Sequence, residues 1–277
     1  MFIADTHSDT LFNLARGAKI DEVDITPARL HDGGVTLQVF AMWSGPKGPG
    51  GDYAALAEQE SGTDSPLTVR DVVSLGTMPH RSLLGFGTMR LPMTEAVIDE
   101  AQVREMTRYA IENGVNYFDT AYPYHGEYSE DAVRQALVER YPRDSFVLAD
   151  KMPILRVKAP EDYDRFFSEQ LRRCGVGYFD VYLLHNLGRD RYPNAQRFGA
   201  FPFLLRLKKE GQVKNIGFSF HDDADTLDQI LTDHPEVDVV QLQINYLDWN
   251  AAVAQSGRCY EVAARHGKDV IVMEPVK

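Results

Sequence analysis

Phe146-Val147-Leu148-Ala149-Asp150-Lys151 is a short apolar run that ends on a charge. Continuous apolar runs of this length suit strands buried on both faces of a parallel sheet. The same kind of run recurs at Leu83–Met89, Val115–Ala121, Val181–His185, Asn215–Phe220, Val239–Asn245 and Val270–Glu274. Helical patterns separate the runs. Val133, Ala136 and Leu137 share one helix face, as do Phe167, Leu171 and Cys174, and later Leu227, Ile230 and Leu231. Gly114, Gly211 and Gly267 stand near the ends of these helices, where a positive φ is useful. Strands alternating with amphipathic helices predict an α/β fold with a helix-covered parallel sheet. Seven such strands approach the eight of a TIM (β/α)8 barrel. A doubly wound dinucleotide-binding sheet would carry a Gly-rich turn after an early strand. Gly85-Phe86-Gly87 comes nearest and lacks the third glycine.

The chain has 277 residues, 44% hydrophobic and 25% charged, the balance of an ordinary folded protein. Its formal net charge is −12. An acidic surface repels phosphate backbones, so no nucleic-acid partner is expected. No apolar run is long enough for a membrane span, and Asp5 interrupts the N-terminus where a secretory leader would need its apolar stretch. The two cysteines, Cys174 and Cys259, fall in helical patterns and read as buried thiols, which fits a reducing cytoplasm.

Asp119, Lys151, His185, Ser219 and Gln241 stand at the carboxyl ends of five successive expected strands. One such residue is most often a solvated loop group. Five from consecutive strands converge on the barrel face that carries active sites. Tyr124 follows Asp119 by five residues, in a loop able to fold over the barrel mouth. A neighbouring ammonium favours the phenolate, so Lys151 is expected to lower the Tyr124 pKa, with Asp119 keeping Lys151 charged. That makes a proton donor for carbonyl reduction. His185 can orient a substrate oxygen, and Ser219 and Gln241 suit a carboxamide.

Leu83 to Pro92, Asn116 to Ala121, Leu148 to Lys151, Asp180 to His185 and Asn215 to Ser219 together resemble the aldo-keto reductase family, over about residues 68–277. That likeness implies a TIM barrel that reduces the carbonyl of a small molecule with NADPH. It implies Asp119, Tyr124, Lys151 and His185 as the catalytic tetrad, with Tyr124 the general acid. Ser219 and Gln241 become nicotinamide contacts, and Thr88, Met89 and Met273 lie near the cofactor. Met273 stands where many members put an aromatic ring. Gln241 to Tyr246 and Val272 to Lys277 are most similar to a subfamily with a cysteine-rich iron–sulfur tail. No cluster is expected in this chain, which ends, by the same likeness, after the seventh barrel strand and before the loops that bind the adenosine phosphate.

Asp5 to Leu11, with Ile25 to Leu30 and Gly33 to Ala41, resembles the opening of the membrane (renal) dipeptidase family, a group of zinc-dependent TIM-barrel hydrolases. His7 and Asp9 are two apart and can share one side of a strand. They supply two of the three ligands a catalytic zinc ordinarily needs, and a structural strand is the plainer reading. The organisation expected is therefore a dipeptidase-like segment over 1–60, a linker with a hairpin over 61–81, and a reductase-like barrel over 82–277. Residues 35–43 are expected to fill the place of an eighth strand, leaving Phe2–Asp5 surplus and packed outside. The competing functions are a carbonyl reductase, a non-catalytic chimeric barrel and, behind both, a zinc hydrolase.

Overall fold

The structure is a computed structural model that describes residues 2–3, 72–245 and 247–275. Its strands are β1 (Phe2–Ile3), β2 (Val72–Leu75), β3 (Met78–Ser82), β4 (Gly85–Gly87), β5 (Met93–Thr94), β6 (Val97–Ile98), β7 (Tyr117–Asp119), β8 (Val147–Met152), β9 (Phe179–Leu187), β10 (Val213–Phe220), β11 (Val239–Gln243) and β12 (Asp269–Met273). The helices are α1 (Glu100–Glu112), α2 (Ser129–Val133), α3 (Glu161–Cys174), α4 (Tyr192–Arg197), α5 (Ala200–Lys209), α6 (Ala224–Asp233) and α7 (Ser256–Arg265). A π turn, Arg134–Val138, extends α2. No helix among the described residues is long and apolar enough to cross a membrane.

The seven expected strands form one parallel sheet in the order β12-β11-β10-β9-β8-β7-β4. It is rolled, not flat. Strands lie about 4.8 Å apart, so β7 and β11 would be about 19 Å apart across a flat sheet. Yet Gln241 Nε2 on β11 donates to Asp119 Oδ2 on β7 at 3.1 Å. Alternation along the strands divides the core accordingly. Tyr117, Val147, Ala149, Val181, Leu183, Val239 and Ile271 make an interior cluster. Phe118, Leu148, Tyr182, Leu184, Phe218, Val240 and Val272 face the helices in the larger one.

The hairpin expected near residues 61–81 exists as β2–β3, and its role is to plug the amino-terminal end of the barrel. Leu75 and Met78 join the interior cluster. Gly76 N donates to Asp269 Oδ2 at 2.5 Å, and Thr77 N donates to Asn215 Oδ1 at 2.9 Å. The hairpin therefore belongs with the barrel. A second hairpin, β5–β6, was not visible in the hydrophobic pattern because its strands are two residues each and largely exposed.

One expectation needs correction. The backbone of Phe2–Ile3 is not surplus: it pairs in parallel with the free edge of β12, Phe2 opposite Ile271 and Ile3 opposite Val272. An unpaired parallel edge offers donors and acceptors to whichever extended segment reaches it first. Among the described residues no pairing joins β1 to β4. The assignment of 35–43 as an eighth strand, the helices sketched at 11–16 and 53–60, and the His7 and Asp9 pair lie outside the described residues.

Gly217 marks the tightest strand contact. A Cβ there would sit 1.9 Å from the Val239 carbonyl oxygen on β11. Gly217→Ala is expected to destabilise the chain by about 1–3 kcal/mol or more, through forced separation of β10 and β11. Gly211→Ala, at φ +73° but with open space around it, is expected to cost less. Urea midpoints of the two variants check the order.

Candidate active site

Asp119, Lys151, His185, Ser219, Gln241 and Met273 share the strand parity of the interior face, one step toward the carboxyl ends from the apolar interior cluster. Asp119, Lys151, Ser219 and Gln241 are at most 1% exposed. The barrel thus ends in a polar layer placed directly on an apolar one.

The Lys151 ammonium is the hub. It forms a short ion pair with Asp119 Oδ1 and donates to Thr120 O at 2.9 Å and Tyr124 Oη at 3.2 Å. All three of its protons are accounted for. Burial alone would neutralise such a lysine, but the Asp119 carboxylate and Tyr124 outweigh it and raise the Lys151 pKa. The other carboxylate oxygen, Asp119 Oδ2, accepts from Gln241.

Tyr124 reaches the hub through a strained loop. His125, Gly126 and Glu127 have φ of +52°, +63° and +78°. Non-glycine residues in that region cost of order 1–3 kcal/mol each and persist only where contacts hold them. Those contacts are present. His125 Nε2 accepts from Leu91 N at 2.8 Å, Arg173 donates to Glu127 O at 3.0 Å, and Arg156 and Arg173 both pair with the Glu127 carboxylate.

The expected acidity of Tyr124 is not what the structure produces. Burial raises the phenol pKa above 10, and Lys151 only partly offsets that rise. The sequence shows the ammonium but hides the desolvation, which here is the larger effect. The hydroxyl consequently stays protonated at neutral pH. The His185 ring packs edge-on against Tyr124, with centroids 5.7 Å apart. Burial first, then Lys151, His221 and Arg191, push its pKa down to about 3, so the imidazole is neutral.

Ser219 and Gln241 lie on adjacent strands in direct register. Ser219 Oγ accepts from Asn186 N at 2.7 Å, which leaves its own proton to donate. Gln241 Oε1 is buried with no hydrogen-bond partner among the described residues. One donor and one orphaned acceptor side by side match the carbonyl and amine of a carboxamide. Asn186 was missed in the sequence. Its signal was its place next to His185, but its φ of +56°, which turns its N–H to Ser219, is a tertiary fact. The Thr88 hydroxyl bonds Asp119 O at 3.0 Å and Ser129 Oγ at 2.7 Å, and so braces β7. Met89 is exposed at the rim, and Met273 is buried on the interior face.

Behind Lys151, on the helix-facing side of β8, Asp150, Glu130 and Cys174 bring their ligand-type atoms within 4.8 Å of one another. Asp150 Oδ1 accepts from Lys151 N at 2.7 Å, and Gln170 bridges Glu130 Oε1 and Lys151 O, both at 3.0 Å. Burial raises both carboxyl pKa values, and Glu130 raises that of Asp150 further.

Two outcomes follow. Lys151→Met leaves a buried carboxylate without its cation and is expected to cost about 3–5 kcal/mol, largely recovered in the Asp119→Asn/Lys151→Met double variant; denaturant melts of the three chains check it. For the Asp150–Glu130 pair the native state binds a proton more tightly than the unfolded chain. Its contribution to stability is present at low pH and is lost as pH rises from the normal carboxyl range through the raised native pKa values. Asp150→Asn removes the Asp150 share of that slope, so its stability relative to the parent chain should improve as pH goes from 4 to 8 in a series of urea melts.

The aldo/keto reductase family profile matches residues 83–277. A probable aldo-keto reductase of Glycine max is 31% identical over 195 residues, covering 66% of this chain and 53% of its own length. An NADH-specific methylglyoxal reductase of Escherichia coli is 27% identical over 189 residues, covering 60% of this chain and 56% of its own. The chain thus spans about half the length of the curated relatives it matches. Among solved structures, an aldo-keto reductase from Klebsiella pneumoniae in complex with NADPH superposes with a TM-score of 0.57 at 21% identity, covering 74% of this chain and 68% of that one, which shows a shared fold. With the family profile spanning most of its length, the chain belongs to the aldo/keto reductase family.

Proposed function

We propose that this chain reduces the carbonyl group of a small aldehyde or ketone, with NADPH as hydride source and Tyr124 as proton donor. The observation that carries the reading is the meeting of Asp119, Lys151 and Tyr124 at hydrogen-bonding distance on the strand-end face. Bound NADPH supplies the hydride. The donor of Ser219 and the unpartnered acceptor of Gln241 fit its carboxamide and would fix which face of the ring is offered.

The protein's own residues then manage one proton. The carbonyl oxygen takes it from the Tyr124 hydroxyl as negative charge develops there. The phenolate left behind is stabilised by the Lys151 ammonium 3.2 Å away. Lys151 cannot act as the donor itself, because Asp119 holds its proton firmly. Neutral His185, in edge contact with Tyr124, gives the substrate oxygen a second hydrogen bond and sets its direction. Roles for Met89 and Met273 beside the ring, and the division of the chain at residues 60 and 82, belong to the same proposal.

NADPH oxidation with simple aldehydes, followed at 340 nm, tests it. Tyr124→Phe is expected to lower kcat/KM by about 10²- to 10⁴-fold, the usual share of a general acid. In the unaltered chain any loss from phenol ionisation should come at higher pH than for a free tyrosine, because burial holds that pKa above its ordinary value. A Tyr124→Phe chain that retains full activity overturns the assignment. No binding at millimolar NADPH would favour a non-catalytic barrel.

A further inference from the structure

Arg191 differs from Arg189 in the same loop, which reaches the Asp223 carboxylate. Arg191 is half-buried and forms no ion pair among the described residues. Its Nη1 donates instead to Asn186 Oδ1 at 3.3 Å. Asn186 is the residue after His185 and is itself held to Ser219. The guanidinium is therefore tethered to the strand that carries His185, at the mouth of the barrel.

The loop that presents it is fixed. Arg189 N donates to Asp222 Oδ2 at 2.8 Å, and the Arg189 side chain pairs with Asp223. Gly188 approaches the Asp222 carboxylate so closely that a Cβ would come within 2.9 Å of its oxygen. Arg191 N and Tyr192 N both bond Gly188 O, at 3.0 and 2.9 Å. Two arginines two residues apart are thus sorted by this loop: Arg189 is neutralised by Asp223, and Arg191 is left as a net positive charge. His185 and His221 register that charge. Burial is the first cause of their lowered pKa values, and Arg191 contributes to both. In a chain with 41 acidic residues, an uncompensated cation beside the reacting centre calls for an anionic ligand.

We propose that Arg191 is a carboxylate-binding subsite, and that the carbonyl substrates preferred by this chain carry a carboxylate. The proposal rests on the reductase reading above and names the substrate class for it. A guanidinium binds a carboxylate through two parallel N–H···O bonds, and Arg191 has donors beyond the one spent on Asn186. The dinucleotide's phosphates present the same anionic oxygens. Arg191 bonds the Asn186 side chain, next to the His185 that is read as orienting the substrate oxygen, and this favours the substrate.

The test compares butanal with succinic semialdehyde, four-carbon aldehydes that differ by a carboxylate, using the full chain and NADPH. The unaltered chain should prefer the semialdehyde. Arg191→Gln should lower kcat/KM for the semialdehyde about tenfold or more beyond any change for butanal, as for a lost charge-assisted hydrogen bond. Arg191→Lys should restore part of it, and Arg197→Gln, at an exposed arginine, should leave the ratio of the two substrates in place. Equal losses on both aldehydes, or an effect confined to the KM for NADPH, overturn the proposal, the latter by giving Arg191 to the cofactor. Calorimetric binding of succinate to the cofactor-free chain separates this result from failure of the reductase reading. Succinate binding that Arg191→Gln abolishes upholds the subsite even in a chain that reduces nothing. No succinate binding in the unaltered chain overturns it.

Discussion

A fully buried ammonium has to be paired, and the Lys151–Asp119 ion pair is the constraint on which the rest of the site depends. Lys151 is 1% exposed and Asp119 not at all. Each oxygen and each proton of the pair is used: Asp119 is shared between Lys151 and Gln241, and Lys151 between Asp119, Thr120 and Tyr124. These partners come from β7, β8, β11 and the loop after β7. Four parts of the sheet are therefore tied by one charge, and a barrel that unrolled would expose it to water.

Two further arrangements exist to keep that pair in place. On the helix side of β8, Asp150 and Gln170 hold the backbone N–H and C=O of Lys151, so the strand cannot rotate the lysine out of line. At the rim, Glu127 and His125 keep a strained loop over the pair. The strain is concentrated in His125, Gly126 and Glu127, the three residues that follow Tyr124. Arg173 serves both arrangements, since it pairs with Glu127 in the loop and with Glu130 beside Asp150.

The electrostatics of the site follow from burial more than from the neighbours that a sequence displays. Lys151 does pull the Tyr124 phenol toward ionisation, yet desolvation outweighs it. In the proposed reduction Tyr124 would keep its proton at neutral pH, and the Lys151 ammonium 3.2 Å away would stabilise the phenolate formed when that proton leaves. His185 stays neutral for the same reason, with burial leading and nearby cations adding to it.

The strand runs and the helix faces at Val133–Leu137, Phe167–Cys174 and Leu227–Leu231 were legible because burial imposes its period on the sequence. So were Asp119, Lys151, His185, Ser219 and Gln241, because a polar residue ending an apolar strand is a local signal. Tertiary structure alone decided that Thr88 braces β7, that Asn186 bonds both Ser219 and Arg191, and that Phe2–Ile3 pairs with β12. It also set the sign of the Tyr124 shift. The physical reason is common to all of these. Periodicity and strand-end chemistry are written along the chain, whereas desolvation, edge pairing and the partner of a loop arginine depend on what the folded barrel brings within a few ångströms.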